Sequence, residues 1–284
     1  MSNFFADLFT LLQQNKALHQ RDGEFHRVMS SACERVFSVS QFSEHPRETV
    51  VLGPFGEIAL PYYSMGNINS LDLFGLDELI LFSFYLAKKE QYKSVADMGA
   101  NIGLHSLLMD KNGWQVTAFE PDPNHTAKIK YHAELNVCEH ITVKEYAISD
   151  QKESLTFTRL IGNRTGSHLK GKKEHVYGST EEFTVACLAL KDVLAQFDFI
   201  KMDIEGAEAD ALCSTDKADW ANTDMMLEVG SASNAQRIWQ HLQTIGLQAY
   251  SQKNGWGLVE CLEHMPTSYK EGSLFLTMSG NAPF

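Results

Sequence analysis

The most informative residues of this chain are two carboxylates with a pair of glycines between them. Asp97 directly precedes a turn that contains Gly99 and Gly103, and Glu120 stands 21 residues after Gly99. Apolar residues before the turn predict a buried strand, and residues 104–109 after it predict a helix. A glycine on a strand-to-helix turn lets a ligand touch the backbone. Glu120 follows a second predicted strand, where a carboxylate can accept both hydroxyls of an adenosine ribose.

The charge beside the glycines decides between two adenosine-containing cofactors. Nicotinamide dinucleotides bind at G-x-G-x-x-G, which sets a pyrophosphate against a helix N-terminus. Here the spacing is G-x-x-x-G and Asp97 would repel a pyrophosphate, whereas S-adenosylmethionine (SAM) has no phosphate and carries an ammonium and a sulfonium. We therefore expect SAM, with contacts from Asp97, Gly99, Ala100, Asn101, Gly103 and Glu120. The alternative, that the glycines only permit a tight turn with close helix packing, would explain a lone glycine pair but explains the whole set of residues poorly. Asn101 could also brace the turn by a side-chain hydrogen bond, a role that does not exclude contact with the cofactor.

Four further carboxylates follow the ends of predicted strands. Asp203, Glu205 and Glu208 come after the fourth strand of the predicted sheet, and Glu228 lies near the end of the fifth. Ligands of open parallel sheets bind beyond the carboxyl ends of the strands, so we expect these side chains beside one cleft. The alternative is a helix N-cap at Asp203 and first-turn acids, favoured by the macrodipole, at Glu205 and Glu208. We adopt that alternative for Glu208, do not favour it for Asp203, and leave Glu205 and Glu228 undecided.

The elements that must position these residues form an alternating pattern. Strands are predicted at 94–97, 115–119, 141–147, 197–202 and 224–229, with helices between them, and in the tail at 248–250, 257–260 and 274–278. Such alternation is typical of a doubly wound parallel sheet. We therefore divide the chain into a domain at 93–284 and an accessory N-terminal region at 1–92.

The N-terminal region is predicted to contain helices and one hairpin. Apolar residues at helical spacing within residues 1–12 predict an amphipathic helix that packs on the main domain or on a second subunit, as in a homo-oligomer. This stretch is interrupted by Asp7 and is too short to cross a bilayer, so no membrane span is expected. Residues 49–63 predict a β-hairpin, and residues 75–87 predict a helix.

Composition predicts an acidic globular protein. Of the 284 residues, 44% are hydrophobic, which is enough for one large α/β domain with an appendage. The net charge of −12 argues against a nucleic-acid partner, because phosphate backbones need a basic surface. The cysteines are odd in number and lack C-x-x-C spacing, so we expect neither disulfides nor zinc but small buried residues of a reduced, cytoplasmic protein.

Several of these motifs together resemble the FkbM-type methyltransferases. The segments that carry the resemblance are 97–103, 119–123, 147–150, 199–208 and 227–229, in order along the chain. The most specific is 199–208, Phe-Ile-Lys-Met-Asp-Ile-Glu-Gly-Ala-Glu, since the glycine turn occurs in many methyltransferase families. The resemblance implies a Rossmann-like, seven-stranded, mostly parallel sheet with helices on both faces and an antiparallel last strand. It also implies SAM-dependent methyl transfer, usually to a hydroxyl oxygen of a sugar, a glycan or a secondary metabolite.

A reaction of this kind places few demands on the protein beyond position. The sulfonium already makes the methyl group reactive, so positioning should supply most of the rate. The hydroxyl must also lose its proton, and we expect Asp203 or Glu205 to take it or to hold the hydroxyl. A second mechanism, which we do not favour, has Asp203 and Glu228 holding a Mg²⁺ ion that acidifies a substrate diol. The competing function is a non-catalytic protein that binds SAM or a nucleotide in a vestigial methyltransferase fold.

Other motif residues have plain structural alternatives. The resemblance sets residues near the third strand beside the adenine, so backbone contact is expected at Ala147 or Ile148, while Asp150 could simply cap a turn. Asn136 is predicted to end a helix, and His105 is predicted to be an ordinary helical histidine.

A basic segment interrupts the acidic chain between the third and fourth predicted strands. Its members are Arg159, Arg164, His168, Lys170, Lys172, Lys173 and His175. Residues 155–158 and 182–185 flank it as the predicted strands of a hairpin. The ordinary interpretation is a solvated loop. The alternative is a lid that recognises an anionic acceptor, with Arg164 and Lys170 as its anchors and His168 as a further donor.

Overall fold

Strands that alternate with helices form the body of the protein. The computed structural model describes residues 2–36, 49–64, 69–160, 167–171 and 179–284. The helices are α1 (Ser2–Gln14), α2 (Glu24–Val36), α3 (Leu76–Ala87), α4 (Leu104–Lys111), α5 (Pro123–Leu135), α6 (Leu190–Val193), α7 (Glu208–Cys213) and α8 (Ala232–Ile245). The strands are β1 (Val50–Val51), β2 (Glu57–Ile58), β3 (Ser94–Met98), β4 (Gln115–Phe119), β5 (Ile141–Lys144), β6 (Ala147–Ser149), β7 (Glu153–Leu160), β8 (His168–Leu169), β9 (Thr180–Ala189), β10 (Phe199–Met202), β11 (Asp224–Glu228), β12 (Gln248–Ser251), β13 (Gly257–Leu258) and β14 (Ser273–Thr277).

The central sheet has the topology that the sequence predicts. Among the described residues it contains eight strands in the order β13-β12-β14-β11-β10-β3-β4-β5. Strands β5, β4, β3, β10 and β11 are parallel, and β14 is antiparallel to both of its neighbours. The doubly wound sheet of seven strands is thus confirmed, with the short strand β13 added at one edge. Strand order reverses between β3 and β10, and ligands of such sheets bind at that point.

Side chains along the strands alternate between two apolar layers, as the period of a strand requires. Phe199 belongs to a cluster that includes residues of α1, α3 and α4, and Ile200 belongs to a second cluster with α7 and α8. Lys201 is the register partner of Asp97 in the neighbouring strand β3. Both side chains therefore lie on the face of Phe199, the face that α3 and α4 cover.

The N-terminal helix α1 packs on α3 and on residues 53–55 and shares a buried core with the central sheet. Its packing on a second subunit stays a prediction. Phe5, Leu8, Phe9 and Leu12 are buried in the same cluster as α3 and the central sheet. The ring of Phe9 meets that of Phe55 edge to face, with 5.8 Å between the ring centroids. None of the helices in the described ranges is long and apolar enough to cross a membrane.

Hydrogen bonds to Asn136 also connect the N-terminal region to the sheet domain. The predicted hairpin is present in shortened form, because β1 and β2 pair over two residues each. Just after β2, the backbone N–H of Ala59 donates to Asn136 Oδ1, and Asn136 Nδ2 donates to the Ala59 carbonyl, both at 2.8 Å. Asn136 also ends α5, as predicted from the sequence.

The third predicted strand is wrong in its extent. Strand β5 ends at Lys144, and β6, which begins at Ala147, belongs to a separate four-stranded sheet of order β6-β9-β7-β8. The Lys144 carbonyl accepts the N–H groups of Glu120 and Tyr146, at 3.1 and 3.0 Å, and this turn breaks the strand. The apolar pattern continues through the turn, so that periodicity alone could not reveal it. The hairpin predicted on either side of the basic segment is confirmed as β7 and β9.

The cysteines are free thiols in different surroundings. Cys33, Cys138 and Cys187 are buried, whereas Cys213 is exposed and Cys261 is partly exposed. The expectation that all are buried is wrong for the last two. Cys213 ends α7 and Cys261 precedes a short 3-10 turn, so their burial is set by position in the fold rather than by residue type.

Candidate active site

The turn after β3 is tied to the end of β4 by its backbone. Gly99 and Gly103 have φ angles of +79° and +89°, in the left-handed region that favours glycine. The N–H groups of Gly99 and Ala100 both donate to the Phe119 carbonyl, at 2.9 and 3.0 Å. The turn therefore lies beside the position where Glu120 leaves β4.

The space beside each glycine is filled by the protein itself. A Cβ atom on Gly99 would lie 1.7 Å from the carbonyl oxygen of Asp203, and one on Gly103 would lie 3.1 Å from the side chain of Ile129. The close packing that was the alternative role of these glycines is therefore present. Contact of Gly99, Ala100 and Gly103 with a cofactor stays a prediction. Because the loop after β10 lies directly against the glycine turn, the ends of β3 and β10 form one continuous site.

Two buried oxygen atoms at this turn lack a hydrogen-bond partner among the described residues, and they are Asp97 Oδ1 and Asn101 Oδ1. Asp97 is fully buried, and its other oxygen accepts a hydrogen bond of 2.6 Å from Ser106 Oγ. Asp97 Oδ1 lies 3.9 Å from Lys201 Nζ. Because Asn101 Oδ1 accepts no hydrogen bond, it does not brace the turn. A buried acceptor without a donor costs about 1–3 kcal/mol, so both atoms favour the arrival of a donor.

Backbone donors fix the carboxylate of Glu120. Its Oε2 accepts from the Asn101 N–H at 2.8 Å, and its Oε1 accepts from the Asp122 N–H at 2.9 Å. Glu120 Oε1 also lies 3.7 Å from Nδ1 of the buried His125. A carboxylate has about four acceptor positions, so Glu120 is oriented by these contacts and keeps capacity for further donors, such as the hydroxyls of a ribose.

The four-stranded sheet β6-β9-β7-β8, called the inserted sheet from here on, contacts the segment after Glu120 through Arg159. Its guanidinium donates to both oxygens of Asp122, at 2.7 and 2.6 Å, and to Glu181 at 2.6 Å. Asp122 is fully buried and accepts the Asn124 N–H at the start of α5. Burial opposes the charge of Asp122, but the bonds to Arg159 lower its pKa below the usual value. Arg159 therefore stabilises the segment that follows Glu120.

Of the residues predicted to contact an anionic acceptor, the structure describes His168 and Lys170. His168 lies in β8 and is only 2% exposed, and Lys170 pairs with Glu182 at 2.8 Å. Arg164 lies outside the described residues, as do Lys172, Lys173 and His175. The role of Arg164, His168 and Lys170 toward an acceptor stays a prediction.

Asp203 and Glu205 stand on the tight loop between β10 and α7. The N-cap of α7 is Ala207, so Asp203 does not cap that helix. The N–H of Asp203 donates to the Met98 carbonyl at 2.9 Å, and its partly exposed carboxylate lies 3.6 Å from Lys201 Nζ. Glu205 has a φ of +56°, and strained conformations of this kind cost about 1–3 kcal/mol and cluster at functional sites.

Glu208 organises the same loop from within. Its carboxylate accepts the backbone N–H groups of Ile204 and Gly206, at 3.1 and 3.0 Å. Burial raises the pKa of Glu208 to about 7. Because the side chain is buried and committed to the backbone, its role is structural.

A buried lysine stands among the carboxylates at the strand ends. Lys201 Nζ lies 3.6 Å from Asp203 and 3.9 Å from Asp97. Burial opposes its charge, but the surrounding carboxylates, Asp203 first, outweigh that effect and raise its pKa above the ordinary value. Lys201 therefore remains a fixed cation at neutral pH.

Glu228, at the end of β11, has no comparable partner. Its partly buried side chain makes no hydrogen bond or ion pair within 4.0 Å in the described part of the chain. Burial, and after it the negative charges of Asp203 and Glu205, raise the pKa of Glu228 well above its usual range. An acidic group with raised proton affinity thus lies beside the loop that carries Asp203.

A cavity of about 210 Å³ opens at the carboxyl ends of β10 and β11. Its charged lining residues are Arg21, Asp72, Asp77, Glu78, Lys201, Asp203 and Glu228. The sequence predicted the last two of these as a pair beside one cleft. In the sequence, the position of Lys201 inside an otherwise apolar strand could have marked it as a site residue. No local pattern marks the N-terminal members, because they stand far from the strand ends in sequence.

The N-terminal wall of the cavity is held by an ion-pair network. Arg21 donates to Asp77 and to the carbonyl of Tyr269, both at 2.7 Å. Asp77 also accepts from His26 Nε2 and Gln252 Nε2, each at 3.0 Å. Burial opposes ionisation of Asp77, but His26 and Arg21 outweigh it and lower the pKa. The network joins the N-terminal region to segments more than 170 residues later in the chain.

One predicted plain role, that of His105, is visible in the same region. His105 contacts Glu78 at 2.9 Å through Nε2 and the Tyr85 hydroxyl at 2.8 Å through Nδ1, so it is a satisfied helical histidine. On the far side of the turn, Ala147 and Ile148 are buried in β6, parallel to β9. Their contact with an adenine stays a prediction.

A model of the methyltransferase FkbM domain matches residues 97–251, which is more than half of the chain. The chain belongs to the FkbM methyltransferase family. The match begins at Asp97 and includes the glycine turn, Glu120 and the loop that carries Asp203. The wall that Arg21 and Asp77 form lies outside it.

Solved structures similar to this FkbM methyltransferase are distant in sequence. The METTL16 methyltransferase domain is 14% identical, with a TM-score of 0.39 over 71% of this chain and 65% of the other. An O-methyltransferase from Bacillus cereus in complex with SAH is 11% identical, with a TM-score of 0.37 over 69% and 78%. A precorrin-6y C5,15-methyltransferase from Geobacter metallireducens is 10% identical, with a TM-score of 0.37 over 69% and 85%. A search of curated proteins found no match.

Proposed function

We propose that this FkbM methyltransferase transfers a methyl group from SAM to a hydroxyl oxygen of a small polyhydroxylated acceptor such as a sugar. One observation carries the proposal. Asp203 contributes its carbonyl to the packing of the glycine turn at Gly99 and its side chain to the wall of the cavity. The expected cofactor site and the cavity therefore meet at a single residue.

The residues at the turn fit SAM. Asp97 and Asn101 each have a buried oxygen without a donor, as an ammonium group would satisfy. Glu120 is oriented by two backbone donors and keeps acceptor capacity for ribose hydroxyls beside His125. When bound there, SAM supplies a methyl group that its sulfonium has already made reactive.

Carboxylates of the cavity are suited to accept the proton of a hydroxyl. The partly exposed carboxylate of Asp203 lies at the cavity wall, and Glu205 on the same loop is the second candidate. Lys201 neutralises part of the local negative charge, so that a carboxylate can stay ionised beside its neighbours. Proton transfer to a positioned group typically contributes about 10²–10⁴-fold to a rate.

An anionic acceptor, bound by the basic segment, is the second candidate for the substrate. The concentration of Arg159, Arg164, Lys170 and His168 in a chain of net charge −12 favours it. Against it, Arg159 and Lys170 already pair with carboxylates of the protein. Reversal of the charges at Arg164 and Lys170 should weaken acceptor binding alone if this candidate is correct.

Calorimetry tests the cofactor. We expect SAM and its demethylated product SAH to bind and NAD and ATP not to bind. Binding of NAD without SAM would overturn the proposal. If neither SAM nor SAH bound, the alternative of a non-catalytic protein with a vestigial methyltransferase fold would be favoured.

Transfer of labelled methyl groups to a panel of hydroxylated acceptors tests the reaction. We expect Asp203→Asn or Glu205→Gln to lower turnover by about 10²–10⁴-fold. Undiminished turnover in both variants would exclude a carboxylate base at these positions. The described residues contain no group of three or more His, Cys, Asp or Glu side chains arranged to hold a metal ion. The Mg²⁺ mechanism, with Asp203 and Glu228 as ligands, stays a prediction that activity in EDTA would remove.

A further inference from the structure

The cavity beside Asp203 has walls from two distant parts of the chain. The ends of β10 and β11 supply one wall, and the N-terminal region supplies the other, with Asp77 and Glu78 at the start of α3. We propose that the N-terminal region completes the acceptor site, and that this site selects a polyol bearing an ammonium group, such as an amino sugar. The inference rests on the proposed function and adds the class of acceptor.

Both cations of the described cavity lining are already engaged. Arg21 donates to Asp77 and to the Tyr269 carbonyl at 2.7 Å. Lys201 lies within 4.0 Å of two carboxylates, those of Asp203 and Asp97. An acceptor with a carboxylate or phosphate next to the reacting hydroxyl would meet Glu228 and no unpaired cation among the described lining residues.

Glu228 gives the cavity its preference for a cation. Among the lining carboxylates, Glu228 has no partner within 4.0 Å in the described chain. The negative charges of Asp203 and Glu78 act on it from nearby. An ammonium ion bound there would supply the counter-charge that the described lining does not provide. Hydroxyl groups can donate to the same carboxylate, but only a cation also relieves the repulsion between like charges.

The size of the cavity limits what can be enclosed. Its volume of about 210 Å³ lies below the ~300–1,000 Å³ of pockets that bury drug-sized ligands. The enclosed part of the acceptor is therefore a fragment about as large as a single sugar ring. Any further part of the acceptor extends past the exposed Tyr269 at the opening.

A methionine in the lining gives a direct readout of occupancy. Met226 is the register partner of Lys201 and lines the cavity on the same face of the sheet, so its ¹³C-labelled methyl group reports on a bound molecule by NMR. The SAH complex is titrated at pH 7 with glucosamine, glucose and glucuronate, which share a ring and differ in charge. We expect glucosamine to shift the Met226 signal with at least tenfold higher affinity than glucose, and glucuronate to leave it unchanged. Equal or tighter binding of glucose or glucuronate, or no shift with any of the three sugars, overturns the inference.

The variant Glu228→Gln tests the source of the preference, because it removes the charge and keeps the shape. We expect it to reduce the advantage of glucosamine over glucose about tenfold while SAH affinity stays unchanged. Glu139→Gln, at an exposed position outside the lining, is the matched control and should behave as the original protein. An unchanged preference in Glu228→Gln would overturn the assignment to Glu228.

Failure of this inference is distinguishable from failure of the proposed function. If SAH binds by calorimetry and glucosamine shows no advantage, the acceptor class is wrong and the cofactor assignment stands. If SAH does not bind, the proposed function fails and the acceptor class fails with it.

Discussion

Gly99 is the residue at which the turn after β3 and the loop after β10 touch. Its φ of +79° and the 1.7 Å between a built Cβ and the Asp203 carbonyl oxygen leave no room for a side chain. Gly99→Ala should therefore lower the free energy of unfolding by about 2–5 kcal/mol, combining left-handed strain with overpacking. It should also weaken SAM binding, because the displaced loop carries Asp203. Urea unfolding and calorimetry measure the two effects.

Gly113 provides the control for that substitution. Its φ is +93°, but a Cβ there would meet nothing within 4 Å. Gly113→Ala should cost only the backbone strain, about 1–2 kcal/mol, and leave SAM binding unchanged. Equal losses of stability in the two variants would show that the contact with Asp203 is not what requires glycine at position 99.

Glu208 should make stability depend on pH in a defined window. Burial raises its folded-state pKa from the ordinary 4.5 to about 7, so the folded protein binds more protons than the unfolded chain between these values. Stability that Glu208 contributes at low pH is therefore lost as pH rises through about 7. The loss is about 3 kcal/mol. Comparing urea unfolding of the original protein and Glu208→Gln from pH 5 to pH 8 isolates it.

Two buried histidines change stability with pH in the opposite direction. The effect of Glu208 must therefore be taken as the difference between the original protein and Glu208→Gln. Burial lowers the pKa values of His19 and His132 to about 4, so the unfolded chain binds more protons between about 4 and 6.5. Their contribution to stability rises with pH over that window. Since both proteins share the histidines, the difference between the two curves reports Glu208 alone. A flat difference would mean that Glu208 titrates normally.

At the scale of elements, the inserted sheet is expected to support the cofactor site through Arg159. Arg159→Lys keeps the charge but loses the fork that donates to both oxygens of Asp122. We expect SAM binding about tenfold weaker, equivalent to ~1.4 kcal/mol, because Asp122 follows Glu120 in the chain. Calorimetry with SAM is the measurement.

A second basic residue of the same sheet serves for comparison. Lys170 forms an exposed pair with Glu182, and such pairs contribute about 0–1 kcal/mol. Lys170→Ala should leave SAM affinity unchanged. If both variants bound SAM as the original protein does, the inserted sheet would have no part in holding the cofactor.

The sequence predicts elements well wherever one local pattern decides them. Strand β4 and the helix that contains Leu76 occupy nearly the predicted residues, because apolar period and turn residues agree there. The break at Lys144 depends on a carbonyl that accepts two N–H groups, and no periodicity encodes it. The packing of Gly99 against the Asp203 carbonyl depends likewise on tertiary contact. Turn geometry and loop-to-loop contact are therefore what the sequence could not supply.

The site residues likewise divide into those that a local pattern marks and those that only tertiary contacts bring together. Asp203 and Glu228 were recognisable because strand ends of a parallel sheet share one edge. Arg21 and Asp77 are separated by more than 50 residues, and Tyr269 is 248 residues from Arg21, so only the folded chain brings them together.

At the scale of the whole molecule, the N-terminal helix and the sheet should unfold together. Phe9 is 1% exposed within the cluster that also contains the sheet residue Phe199. Phe9→Ala should therefore cost about 3–5 kcal/mol, and urea unfolding should stay a single transition when followed by circular dichroism and by fluorescence. Leu11 on the same helix is 39% exposed, so Leu11→Ala should cost no more than about 0.5 kcal/mol. Two separate transitions would contradict a shared core.

The contacts of His19 and Arg21 also set an order of events during synthesis of the chain. His19 accepts the indole N–H of Trp256, which the ribosome adds 237 residues later. At roughly 5–20 residues per second, these partners are made on the order of 10–50 s apart. The N-terminal wall of the cavity is synthesised first, and it can form these contacts only after the segment up to Tyr269 has been made. A nascent chain halted short of that residue would contain the whole glycine turn but an unfinished cavity.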